Sequence, residues 1–138
     1  MKSIANCLFL FAAAALSLGT AAYGQNTLKA DVPFAFRGPA GTAETAGYYI
    51  VRVENNGSGY VAQIRDRDTG RGVVSLTNQL YNNKVGAAIA ARLVFRCTEG
   101  AGCQLSEIWT PNGGFSVPVK HVRDAEYVTS IPLIAAGD

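Results

Sequence analysis

The chain has 138 residues, of which 49% are hydrophobic and 16% charged, with 12 basic and 10 acidic side chains and a formal net charge of +2. A balance this close to neutral excludes the electrostatic footprint of a nucleic-acid binder or of a protein held on anionic lipid. The length allows one domain around a single core.

The chain opens as a secretory leader. Lys2 supplies the positive start, Leu8–Leu18 is an apolar run without charge, and Ala22-Tyr23-Gly24 supplies small residues before a cut at Gln25. The run is shorter than the roughly 20 residues that a membrane helix needs. Residues 1–24 are therefore expected to be removed, leaving 25–138 as one β-domain, secreted or periplasmic, with no membrane span. Cys7 leaves with the leader and does not follow a lipobox. Loss of Lys2 lowers the net charge by one.

The rest reads as strands and turns. Thr27–Phe36 is extended, with Pro33 at a strand margin, and Gly38–Gly47 is a loop of small residues. Tyr48–Glu54 alternates, with Tyr49, Val51 and Val53 on one face, and Asn55-Asn56-Gly57-Ser58-Gly59 is a turn. Tyr60–Asp66 returns, with Tyr60, Ala62 and Ile64 on one face. Arg67-Asp68-Thr69-Gly70 turns again. Gly72–Gln79 follows, with Val74 and Leu76 facing one way. Tyr81–Val85 is a polar connection.

Ala87–Cys97 is the longest predicted strand, its alanine-rich start being also open to a helical turn, and Cys103–Thr110 is its partner. Pro111-Asn112-Gly113-Gly114 turns, Phe115–Val122 alternates, and Asp124–Ile134 forms a last strand. Strands recurring every ~10–15 residues predict an all-β fold, an antiparallel sandwich or small barrel of about seven or eight strands.

Two cysteines survive leader removal, Cys97 and Cys103, and an even pair in an exported chain predicts a disulfide. Five intervening residues are too many for a CxxC redox site, so the pair reads as a staple on a hairpin. Its loop closure is worth ~2 kcal/mol on the chain-entropy model. Setting the two cysteines opposite each other fixes a register in which Phe95 faces Leu105, Leu93 faces Glu107 and Ala91 faces Trp109. On the other face Arg96 meets Gln104, Val94 meets Ser106 and Arg92 meets Ile108. The first set is the apolar one and is expected to face the core. That places Glu107 beside Leu93 and Trp109, where a carboxylate needs a partner or shifts towards its neutral form. Glu107 is then either a general acid or ligand contact, or the sign of a register shift.

Other constellations are incomplete. Asp66-Arg67-Asp68-Thr69-Gly70 begins like a calcium loop, but Gly70 and Thr77 stand where oxygen ligands belong. It reads as a turn. His121 is the only histidine; it could serve a Ser-His-Asp site with Asp124, but no serine sits in a GxSxG elbow. A zinc site lacks ligands. Gly38-Pro39-Ala40-Gly41 lacks the Lys-Ser or Lys-Thr of a phosphate loop. Tyr48, Tyr49, Tyr60, Tyr81, Trp109, Phe115 and Tyr127 could line a glycan or apolar site, or simply pack. No metal, cofactor or catalytic set is expected. Arg52, Arg92 and Arg96 at outward positions argue against an outer-membrane barrel.

Four segments in order, Val32-Pro33-Phe34-Ala35-Phe36, Ala46-Gly47-Tyr48-Tyr49-Ile50-Val51, Ala91-Arg92-Leu93-Val94-Phe95-Arg96 and Leu105-Ser106-Glu107-Ile108-Trp109, resemble a group of small exported β-proteins of soil bacteria. That group carries VPFxF, AGxYxV, KLVF and LSxIW stretches. Here Glu44-Thr45 stand where the group has Leu-Pro, and the cysteine pair is not typical of it. The resemblance implies a single compact β-domain and transfers no catalytic residues. The leading expectation is a non-enzymatic binding or envelope-associated protein, whose partner is a protein, a glycan or a small apolar ligand. The alternatives are a small barrel carrying an apolar ligand between Tyr49, Tyr60, Phe95 and Trp109, and a small hydrolase using Glu107 or His121.

Overall fold

A computed structural model describes residues 27–119 and 126–136. The leader at 1–24, His121 and Asp124 lie outside these residues. Alternating burial builds the first strand, β1 (Thr27–Val32), whose Leu28, Ala30 and Val32 point inward. Pro33 follows it directly and ends it, because a proline cannot donate to a ladder. Two-residue strands β2 (Phe36–Arg37) and β3 (Ala43–Glu44) flank a 3-10 turn at Pro39–Gly41. Then come β4 (Gly47–Asn55) and β5 (Tyr60–Asp66). In the turn between them the Asn55 and Asn56 side-chain oxygens accept from the Gly57 and Ser58 amides at 2.8 and 3.0 Å. Gly57, at φ 88°, takes the left-handed conformation that this turn requires.

The longest strand is β6 (Gly72–Asn82), not the predicted Ala87–Cys97 segment, whose first five residues are irregular. The disulfide hairpin follows as β7 (Arg92–Thr98) and β8 (Gly102–Thr110), then β9 (Gly113–Ser116), β10 (Glu126–Pro132) and β11 (Ile134–Ala135). The described residues thus hold eleven strands. Three of them (β2, β3 and β11) are two-residue strands too short to leave a periodic signal in the sequence.

The ladder runs β10-β7-β8-β9-β6-β5-β4-β1-β11. Pairing is antiparallel along this path, but β2 joins β8 in parallel through Phe36–Cys103 and Arg37–Gln104, so the sheet is mixed. β6 serves two neighbours in turn. Its first half pairs with β5 as far as Tyr60–Thr77, and its second half pairs with β9 from Asn78–Ser116 onward. The ladder does not close into a barrel. Its two ends, β10 and β11, are consecutive in the chain and are joined by Leu133, a buried residue whose amide donates to the Ala91 carbonyl at 2.9 Å.

Both halves of the ladder face one core. Leu28, Ala30, Val32, Tyr49, Val51, Ala62 and Ile64 come from the β1–β4–β5 half; Leu93, Phe95, Cys97, Leu105 and Ile108 come from the hairpin. Phe36 sits between them, edge-on to Tyr49 at 5.1 Å and to Phe95 at 5.2 Å. On β6 the inner positions are Val73, Ser75 and Thr77, which oppose Ile64, Ala62 and Tyr60. Val74 and Leu76 do share a face, but it is the solvent face, where they are 63% and 70% exposed.

Candidate functional site

The hairpin was the sharpest expectation, and half of its register is observed. Cys97 and Cys103 form a disulfide, with their Cα atoms 3.9 Å apart. Phe95–Leu105 and Arg96–Gln104 pair as derived. The register then slips by one. Val94 opposes Glu107, Leu93 opposes Ile108 and Arg92 opposes Trp109. The cause is a bulge at Ser106, which adds one residue to β8. Its hydroxyl donates to the Val94 carbonyl at 3.0 Å, and its own carbonyl accepts the Val117 amide at 2.8 Å.

The bulge removes the predicted conflict. Leu93 meets Ile108 in the core, and Glu107 turns to the opposite face, where the Trp109 indole donates to its carboxylate at 2.8 Å. Trp109 is correspondingly not a core residue facing Ala91. It lies half-buried across Gly114, where a Cβ would come within 2.6 Å of the ring, and the Arg92 guanidinium sits 4.8 Å from the ring centroid. Tyr81 stands 6.4 Å beyond. Glu107 is thus held by an indole.

The aromatic residues divide likewise. Tyr49 and Phe95 are enclosed around Phe36, and Tyr60 packs on Phe115 at 4.8 Å. None of Tyr49, Tyr60, Phe95 and Trp109 lines the groove beside Tyr48 or the cleft at the end of β5. Exposed Tyr48 lies beneath the Arg67 guanidinium at 5.7 Å, beside a groove of about 270 Å³ whose lining includes Lys29, Asp31, Pro132 and Ile134.

A cleft of about 570 Å³ opens at the end of β5, a place that the sequence reading did not single out. Two segments distant in sequence form it. One is the loop and β3 region bearing Thr42, Glu44 and Thr45; the other is the β5–β6 turn bearing Asp66, Thr69 and Arg71. The turn is built as its sequence dictates. The Asp66 carboxylate accepts from the Asp68 and Thr69 amides at 2.8 and 3.2 Å, and its carbonyl accepts from Gly70 at 2.9 Å. This is an Asx turn, not a calcium loop. No group of three or more His, Cys, Asp or Glu suited to a metal ion occurs among the described residues.

Beside the cleft the Tyr49 hydroxyl donates to the Thr45 carbonyl at 2.5 Å. Burial pushes the Tyr49 hydroxyl up from its ordinary pKa. The Thr45 side chain opposes that rise, and the negative charges of Glu44 and Asp66 add to it. Both carboxylates therefore act on the same buried phenol from the same end of the sheet. Neither they nor Arg71 enters an ion pair with another described residue. The cleft escaped the sequence reading because its two rims share no motif and only the pairing of β4 with β5 brings them together.

No protein-family model, curated protein or solved structure matches this chain.

Proposed function

We propose that this chain is an exported, non-enzymatic binding domain, with β-strands as a rigid frame and the cleft beside the β5–β6 turn as its working surface. The cleft carries the reading. Its volume lies within the ~300–1,000 Å³ usual for ligand sites, and it presents hydroxyls and charged groups without a nucleophile paired to a base. Loops held on a rigid sheet are where such domains bind.

Export is supported by the leader pattern of residues 1–24 and by a disulfide, which persists in oxidising compartments. No helix among the described residues is long and apolar enough to cross a membrane. The order of the four segments that resemble the soil-bacterial group supports the same reading.

Native mass spectrometry on protein recovered from the periplasm and the medium tests it. The expected species begins at Gln25, contains one disulfide and carries a bound molecule. An uncut chain retained inside the cell, or a recovered chain that carries nothing, would overturn the reading.

A further inference from the structure

The cleft beside the β5–β6 turn has a composition that selects among ligands. Resting on the binding reading above, we infer that it takes an uncharged glycan, held through vicinal hydroxyls by Glu44, Asp66 and Arg71. Anions are disfavoured, since the lining carries two carboxylates, Glu44 on one rim and Asp66 on the other, against the single guanidinium of Arg71. An apolar ligand would strip water from Glu44 and Arg71 with nothing to replace it, which is costly.

Hydroxyl groups fit all of these partners. A carboxylate accepts from two neighbouring hydroxyls, and a guanidinium donates to two neighbouring oxygens in the same planar fork. The threonines extend the pattern. The Thr42 hydroxyl proton is committed to the Pro39 carbonyl at 3.1 Å, so Thr42 offers an acceptor. The Thr69 oxygen accepts from the Arg71 amide at 3.3 Å, so its proton is left to donate. Ala43 and Val73 add apolar surface for the C–H face of a sugar ring.

The cleft is also preformed. Asp66 is fixed by two backbone amides, and the loop opposite is tied to the core through the Tyr49–Thr45 bond. Ordering costs on binding are therefore small.

The test uses the ¹⁵N-labelled mature domain titrated with cellohexaose, N-acetylchitohexaose and hexagalacturonate, followed by amide chemical shifts. At least one of the two neutral sugars is expected to shift the amides of residues 42–45 and 66–73, while the anionic sugar leaves them in place. Glu44→Gln and Arg71→Ala are each expected to weaken that binding at least tenfold. Both alter side chains at the surface, and circular dichroism with thermal unfolding checks that each variant is folded. Shifts that map elsewhere, binding of the anionic sugar alone, or no shift with any of the three at millimolar concentration would overturn the inference. The recovered sugar is weighed after each titration. Shortened sugar with shifts in the cleft would overturn the non-enzymatic reading while leaving the site where it is inferred.

Discussion

At the scale of single residues, burial decides which side chains are free to act. Glu107 looked like a stranded carboxylate because counting in twos placed it beside Leu93. With Ser106 bulged out, it meets the Trp109 indole on the opposite face instead. Tyr49 is the opposite case. Its place on the inner face of β4 was legible from the alternation of Tyr49, Val51 and Val53, but nothing local showed that Glu44 and Asp66 would converge near its hydroxyl. That convergence has a measurable consequence. A phenol whose folded-state pKa lies above its unfolded value contributes stability at lower pH, and that contribution is lost as pH rises. The loss begins near the unfolded tyrosine value of ~10 and continues through the folded one, because the unfolded chain releases the proton first. Tyr49→Phe removes this dependence and also one hydrogen bond, worth ~1 kcal/mol at neutral pH. Thermal unfolding of both proteins between neutral pH and pH 11 is the check. The wild-type advantage should shrink above pH 10; parallel curves would show that the phenol is not held neutral by its surroundings.

At the scale of elements, the disulfide hairpin shows what period-two reasoning captures and what it misses. The Phe95–Leu105 pairing follows from setting Cys97 opposite Cys103. The slip beyond it does not, because an extra residue in one strand changes no local propensity and is detected only through its partner. β6 shows a related limit. Its apolar Val74 and Leu76 alternate correctly yet face solvent, while Val73, Ser75 and Thr77 face inward opposite Ile64, Ala62 and Tyr60. Alternation defines two faces and does not say which one is covered. The bulge can be tested by deleting Ser106. The pairs Val94–Glu107, Leu93–Ile108 and Arg92–Trp109 already exclude Ser106, so they should survive the deletion. The expected cost is about 1–3 kcal/mol, from the two hydrogen bonds that Ser106 makes to Val94 and Val117. Urea unfolding gives the magnitude, and cross-strand nuclear Overhauser contacts between Leu93 and Ile108 report the register. A variant in which Leu93 contacts Glu107 instead would show that Ser106 is not the source of the slip.

At the scale of the molecule, the all-β class and most strand positions were legible, but the path of the ladder was not, because it depends on contacts between distant segments. The final strand illustrates this. Asp124–Ile134 reads as one strand, yet Leu133 divides it. Up to Pro132 the chain pairs with β7, while Ile134 and Ala135 pair with Lys29 and Leu28 of β1. Pro132 suits the division. Continuing the β1–β11 register would set it against Asp31, where its missing N–H cannot extend the ladder. One residue thus spans both ends of an open sheet, with its amide on Ala91 and its side chain in the common core. Leu133→Ala should therefore cost about 2–5 kcal/mol, the range for a buried leucine, and its effect should be distributed in a particular way. Loss of a methyl cluster inside one half would loosen that half. Loss of this joint should lower amide hydrogen-exchange protection in β1 and β7 together, although the two strands lie far apart along the ladder. Exchange on the folded variant, compared with Ile64→Ala as a core truncation confined to β5, separates the two cases. Weakened protection in β7 alone would mean that the ends of the sheet are held independently and that Leu133 is an ordinary core residue.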